Sequence, residues 1–229
     1  GWILQAVPSA LNFQSIKNLS KVESSKFARL GGAILPDGKA EIEVDLDSVD
    51  TKVDLRNVRM RFFLFETFIY PTAKISTQIT VSDLADLEDV RRKKITLPFR
   101  LSLHGLEKDL TAEVAVTMIS DDLVSVSSTT PISIGTALFG LTEGVGRLEA
   151  AAEVSIIPSA TVSFDFVFKR HDGEALTEFP TLTPVELAPP APATPIPGTE
   201  QVAASESQAS APIPASELLT PAECNIQFR

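Results

Sequence analysis

Between Ile95 and Met118, apolar side chains fall at positions 95, 97, 99, 101 and 103, and again at 112, 114, 116 and 118. A short polar connection containing Gly105 separates the two runs. A period of two gives each run one dry and one wet face, so the segment is predicted to be an antiparallel hairpin. The same alternation recurs through most of the chain. Leu11 and Phe13 alternate with Asn12 and Gln14 in a strand-like stretch from Ile3 to Ile16. Phe27 to Leu35 is a second strand, and the turn Pro36-Asp37-Gly38 leads into a third. There Ala40, Ile42, Val44 and Leu46 alternate with Glu41, Glu43, Asp45 and Asp47. Ala73 to Val81, Leu123 to Ile134 and Val162 to Phe168 read as further strands.

The pattern changes twice. Leu55, Val58, Phe62, Phe65 and Ile69 are spaced as one face of an amphipathic helix, with Arg56, Arg59 and Arg61 off that stripe. Tyr70-Pro71 is expected to end it. A shorter helix is predicted from Leu141 to Ala152, and a solvated loop from Asp83 to Lys94 ends in the basic run Arg91-Arg92-Lys93-Lys94. The sum is all-β, with about eight antiparallel strands and one or two short helices. Eight strands close into a barrel wide enough to hold one small ligand. A β-sandwich has the same sequence pattern and stays open as the competitor.

Composition divides the 229 residues in two. Ten of the sixteen prolines lie between Pro180 and Pro221, and from His171 to Phe228 there are acids but no Lys or Arg. The expected organisation is a barrel domain over residues 1–170 and an acidic Pro/Ala-rich linker or tail over residues 171–229. Such a tail buries too little apolar surface to fold and is expected to be an extended spacer, suited to contacting a protein partner through residues 180–221. A net charge of −10 argues against nucleic-acid binding, which needs clustered cations for phosphate contacts. No apolar run approaches the roughly 18 residues needed to span a bilayer as a helix. The opening at Gly1-Trp2 suits a chain whose leader has been removed, and equally a trimmed one.

Candidate chemistry is sparse. His104 and His171 are far apart, and Cys224 is the one cysteine, free or paired outside this chain. No metal-ligand spacing, nucleophile elbow or phosphate loop is present, so no catalytic or metal residue is assigned and no cofactor is expected beyond a bound lipid. Asp45, Asp47, Asp50 and Asp54 lack the glycine turn of a calcium loop and read as a solvated face. Thirteen phenylalanines against one tyrosine and one tryptophan make the interior apolar and short of polar handles. The predicted lining is Phe13, Phe62, Phe65, Phe99, Leu101, Val116, Phe164 and Phe166, with the helix that carries Phe62, Phe65 and Phe68 capping one end. These side chains either fill a core or line a cavity.

The run Leu101-Ser102-Leu103-His104-Gly105-Leu106-Glu107-Lys108 resembles the hairpin of the YceI-like family. Trp2-Ile3-Leu4 with Ser9-Ala10-Leu11-Asn12-Phe13 is similar to the family's opening strand. Asp45 to Thr51 followed by Leu55-Arg56-Asn57, and then Phe65 to Pro71, are similar to its third strand, its helix and the approach to the next strand. The resemblance spans about residues 2 to 170. It implies a lipocalin-like barrel in the bacterial periplasm or cell envelope, holding an isoprenoid or acyl chain without catalysis. Ala6-Val7-Pro8-Ser9 departs from the His-Ser pair common in the family, which leaves the ligand's identity open. The ending Glu223-Cys224-Asn225-Ile226-Gln227-Phe228 resembles the entry to OmpA-like domains. The alternative function is an accessory subunit with a filled barrel, docked on a larger envelope assembly through its surface and tail.

Overall fold

The computed structural model describes residues 1–182 of the chain. Each stretch of wall pairs antiparallel with the next in sequence, and the last returns to the first. The first stave is β1 (Trp2–Leu4) and β2 (Ala10–Lys17), separated where the Val7–Pro8 bond is cis. The second is β3 (Lys21–Phe27) with β4 (Leu30–Ile34), and the third is β5 (Lys39–Asp45) with β6 (Val49–Asp50). β7 (Thr72–Gln78), β8 (Arg92–Leu103) and β9 (Leu106–Ser120) follow. β10 (Leu123–Ser128) with β11 (Ile132–Gly135) is the seventh stave, and β12 (Ile156–Arg170) the eighth. β12 closes the ring, pairing Leu4 with Phe168 and Phe13 with Val162 on one side and Val126 with Phe166 on the other. The result is an eight-stranded antiparallel barrel, not two open sheets. Closure pairs strand edges that would otherwise recruit other chains.

The predicted hairpin keeps an unbroken register from Arg92↔Thr117 to Leu103↔Leu106. Its turn is His104-Gly105, and both residues have positive φ, 53° and 73°. Two-residue hairpin turns of this hand match the strand twist. Arg92, Lys93 and Lys94 lie inside β8 rather than in a solvated loop, because β9 is long enough to pair with them. Lys93 Nζ is 2.6 Å from Asp86 Oδ1 at the strand's start. β3 is a strand that the sequence reading lacks. Lys21-Val22-Glu23-Ser24-Ser25-Lys26-Phe27 has little hydrophobic alternation, and its pairing with β2 holds it in place. Leu46 and Asp47, expected in the third strand, form a turn of 3₁₀ helix (Leu46–Ser48) instead.

One end of the barrel carries the β2–β3 turn and two helical insertions. α1 (Asp54–Arg59) runs on into a π-helical turn, Met60–Phe65, which stops at Glu66 in the left-handed region. At the opposite end α2 (Leu87–Val90) places Leu87 against Val114, Val116 and Met118, while the Arg170 guanidinium stacks over Trp2 at 4.9 Å. Back at the first end, α3 (Thr142–Ala152) lies on the π-helical turn. Gly144 makes that approach possible, since a Cβ there would sit 2.5 Å from the Phe63 carbonyl oxygen.

Of the expected helical stripe only Phe65 is buried. Leu55, Val58, Phe62 and Ile69 face solvent, whereas Met60 and Phe65 are buried. The π-helical turn begins at Met60, so one helical period does not carry across the junction from α1 to Phe62 and Phe65. No helix among the described residues is long and apolar enough to cross a membrane. After β12 the chain stays on the barrel wall. The His171 amide donates to the Gly1 carbonyl, and the Leu182 amide donates to Glu43 Oε2, leaving Glu43 buried on the outer face. The stretch beyond Leu182, with most of the Pro-rich segment, Cys224 and the OmpA-like ending, lies outside the described residues.

Candidate apolar binding cavity

Alternation in eight staves sends one set of side chains inward. Ile42 and Val44 from β5, Ile75 from β7, and Leu97, Phe99 and Leu101 from β8 face a common space. That space is a cavity of about 450 Å³ running along the barrel. The volume lies within the roughly 300–1,000 Å³ typical of ligand pockets. It reaches solvent beside α1, where lining residues Val53 and Leu55 are 44% and 59% exposed.

Six of the eight residues expected in the lining meet there: Phe13, Phe65, Phe99, Leu101, Phe164 and Phe166. Phe164 and Phe166 stack at 4.6 Å with their planes 15° apart, and the Phe27 ring lies 5.3 Å from Phe13. Val116 does not line the cavity. It is buried with Leu87, Val114 and Met118 near the end that α2 covers. Phe62 does not line it either. It is 58% exposed on the outer face of the π-helical turn, 6.4 Å from the Phe68 ring, which is also outside. Phe65 is the member of that trio that closes the barrel end.

The lining also contains polar side chains that the sequence reading did not assign. Positions 11, 13, 15 and 17 of β2 share one face, and they run Leu, Phe, Ser, Lys toward the open end. On β3 the partner face runs Phe27, Ser25, Glu23 in the same direction. The alternation therefore continues, but its dry face turns polar where the staves reach the mouth. That change of polarity at constant parity was the available signal. Arg56 and Arg59 join the lining from α1, beside Leu55 at the opening.

Glu23 organises the mouth. Lys17 Nζ lies 2.7 Å from Glu23 Oε1, and the Arg56 guanidinium donates to Glu23 Oε2 at 3.0 Å. Lys21 adds a longer approach of 3.8 Å. The hydrogen bond from Lys17, helped by Arg56, holds the Glu23 carboxyl below its usual range against the opposing effect of burial. Below this cluster the wall is almost entirely hydrocarbon, so its chemistry favours an apolar guest whose polar end stays near the mouth.

The acidic positions singled out in the sequence are spread over separate contacts. Asp45 accepts the Arg29 guanidinium at 2.7 Å and the Asp47 amide at 2.9 Å, while Asp47 accepts the Thr67 hydroxyl at 2.6 Å. Among the described residues no three His, Cys, Asp or Glu side chains converge as a metal site would require.

Comparison with known proteins follows the same geometry. A family model described as YceI-like domain matches residues 2–168. A solved polyisoprenoid binding domain from Saccharophagus degradans, implicated in plant cell wall breakdown, is 30% identical. It superposes with a TM-score of 0.71, covering 73% of this chain and 97% of that one. BcnA of Burkholderia cenocepacia shares the fold at 14% identity and a TM-score of 0.56, over 72% of this chain and 98% of its own. A search of curated protein sequences gives no match. With its barrel, its hairpin and the span of the family match, this chain belongs to the YceI-like domain family.

Proposed function

We propose that the barrel sequesters one molecule with a long apolar chain, an isoprenoid or an acyl chain, and acts as a carrier without catalysing a reaction on it. The observation that carries this reading is the continuous apolar cavity of about 450 Å³. A filled barrel would show a close-packed interior in its place. Burial of the guest supplies the driving force, at about 0.8 kcal/mol for each CH₂ removed from water. The similarity to a domain named for polyisoprenoid binding supports the same class of guest. We place the protein in the periplasm or cell envelope of a bacterium, where such lipids need a shielded path through water. The test is native mass spectrometry of the purified full chain, followed by solvent extraction of any bound species. A single apolar adduct, lost on denaturation, is the expected result. A bare chain that also takes up no added isoprenoid or fatty acid contradicts the proposal.

A further inference from the structure

We propose that the open end of the barrel is a docking surface for a lipid bilayer with anionic head groups, where a guest passes between membrane and cavity without crossing water. The docking surface goes beyond the carrier reading above and rests on it only for the passage of the guest. Leu19, Val53, Leu55, Phe62, Phe68 and Ile69 are exposed, and all belong to the β2–β3 turn or to the segment 53–69 that holds α1 and the π-helical turn. Leu19 is 84% exposed and Phe68 67%. Single exposed apolar side chains are ordinary, but a group gathered at one end marks an interaction surface. Leu19 carries a second signal. It has φ 69°, a left-handed conformation that suits Asn or Gly better than a bulky residue. The turn keeps an apolar side chain where neither burial nor backbone geometry asks for one.

Two observations select a bilayer as the occupant. The first is charge. From Lys17 to Val22 there are two lysines and no acid, and from Lys52 to Phe62 four cations against Asp54 alone, in a chain whose net charge is −10. The neighbouring Glu23 is already engaged by Lys17 at 2.7 Å and by Arg56 at 3.0 Å. Apolar side chains interspersed with Lys and Arg settle at the boundary of an anionic membrane, the hydrocarbon entering and the cations meeting lipid phosphates. The second is continuity. Val53 and Leu55 belong to the cavity lining and to the exposed surface at once, so the apolar wall runs from the barrel interior out over the rim. A bilayer seated there presents hydrocarbon to the opening, whereas a folded protein covers it.

The experiment is co-sedimentation of the full chain with vesicles of phosphatidylglycerol and phosphatidylethanolamine in equal parts, and with vesicles of phosphatidylcholine. Binding to the first is expected, weakening as salt is raised and several-fold lower on the second. The double variant Phe62→Ser, Phe68→Ser changes side chains outside the cavity. It is expected to lose about tenfold or more in vesicle affinity while taking up farnesol as the parent does. Leu19→Asn is expected to weaken vesicle binding a few-fold and to melt no lower than the parent, since Asn accepts the left-handed turn. If the chain takes up farnesol yet ignores both vesicles, or the variants bind vesicles as well as the parent, the dock is wrong and the carrier reading stands. Equal binding to both vesicles contradicts the role of the cations. Vesicle binding without farnesol uptake keeps the dock and removes the carrier. A dimer in light scattering that the double variant dissociates, with no vesicle binding, assigns the patch to a second copy of this chain and overturns the bilayer.

Discussion

His104 Nε2 lies 2.9 Å from Glu66 Oε2, so the tip of the β8–β9 hairpin is tied to the residue that stops the π-helical turn. The His104 ring also packs against Tyr70 with centroids 4.4 Å apart, and Arg147 of α3 approaches the other Glu66 oxygen at 3.7 Å. A histidine of the polar connection between the two predicted strands therefore joins three elements at the barrel end. His104→Ala should cost about 1–2 kcal/mol, the value of a partly buried hydrogen bond to a charged group with its packing. Urea denaturation checks this, and an unchanged midpoint would show that the contact contributes nothing.

Two glycines of α3 make an internal contrast. Gly146 has open space where a Cβ would stand, whereas a Cβ on Gly144 would press on the Phe63 carbonyl and Leu64 Cα at 2.5 and 2.9 Å. Gly146→Ala should stabilise by about 0.5–1 kcal/mol through helix propensity. Gly144→Ala should destabilise despite the same propensity gain, because the helix must move off the π-helical turn. Thermal melting of the two variants reads the difference in sign directly.

The mouth cluster has a predictable response to acid. The Glu23 carboxyl is held below its usual range by Lys17 and then Arg56, so its contribution to stability is fully present above the unfolded-state value. It is lost as pH falls through the lower folded value, in the acid region beneath the ordinary carboxylate range. Glu23→Gln should remove that part of the acid dependence and leave the profile near neutrality flat. A wild-type and a variant with parallel acid unfolding curves would contradict the arrangement.

Filling the cavity should abolish uptake while sparing the fold. Phe164 is partly buried on the wall of β12, stacked on Phe166. Phe164→Trp adds bulk toward the interior, where overpacking typically costs about 1–3 kcal/mol. Circular dichroism should remain that of the parent barrel, and titration with an apolar ligand should show binding lost or sharply weakened. Undiminished binding would place the guest elsewhere.

The wall was legible in the sequence because period-two alternation survives wherever one face is buried. Ile42, Val44, Phe99 and Leu101 announce their side by parity alone. β3 was not legible, since Lys21 to Phe27 owes its conformation to β2 and the staves around it rather than to its own composition. The helix was found, but of its apolar stripe only Phe65 is buried. The shift from α to π winding after Arg59 and the anchor at Met60 and Phe65 depend on packing against α3, which no local pattern encodes. That misassignment also hid the mouth. Arg56 and Arg59 read as lying off the apolar stripe, and the structure places them in the lining while Phe62 stays outside. Val116 shows the remaining ambiguity, since parity tells inside from outside and not depth along the barrel.

The central claim is that a guest chain lies along the barrel axis. It is tested most directly by isotope-filtered nuclear Overhauser spectroscopy on labelled protein with an unlabelled apolar ligand such as farnesol. The account predicts contacts from the ligand to the methyl groups of Ile42, Val44, Ile75 and Leu101, and none to Val114 or Val116. Contacts confined to the outer face around Val58, Phe62 and Ile69, or no contacts at all, would contradict it.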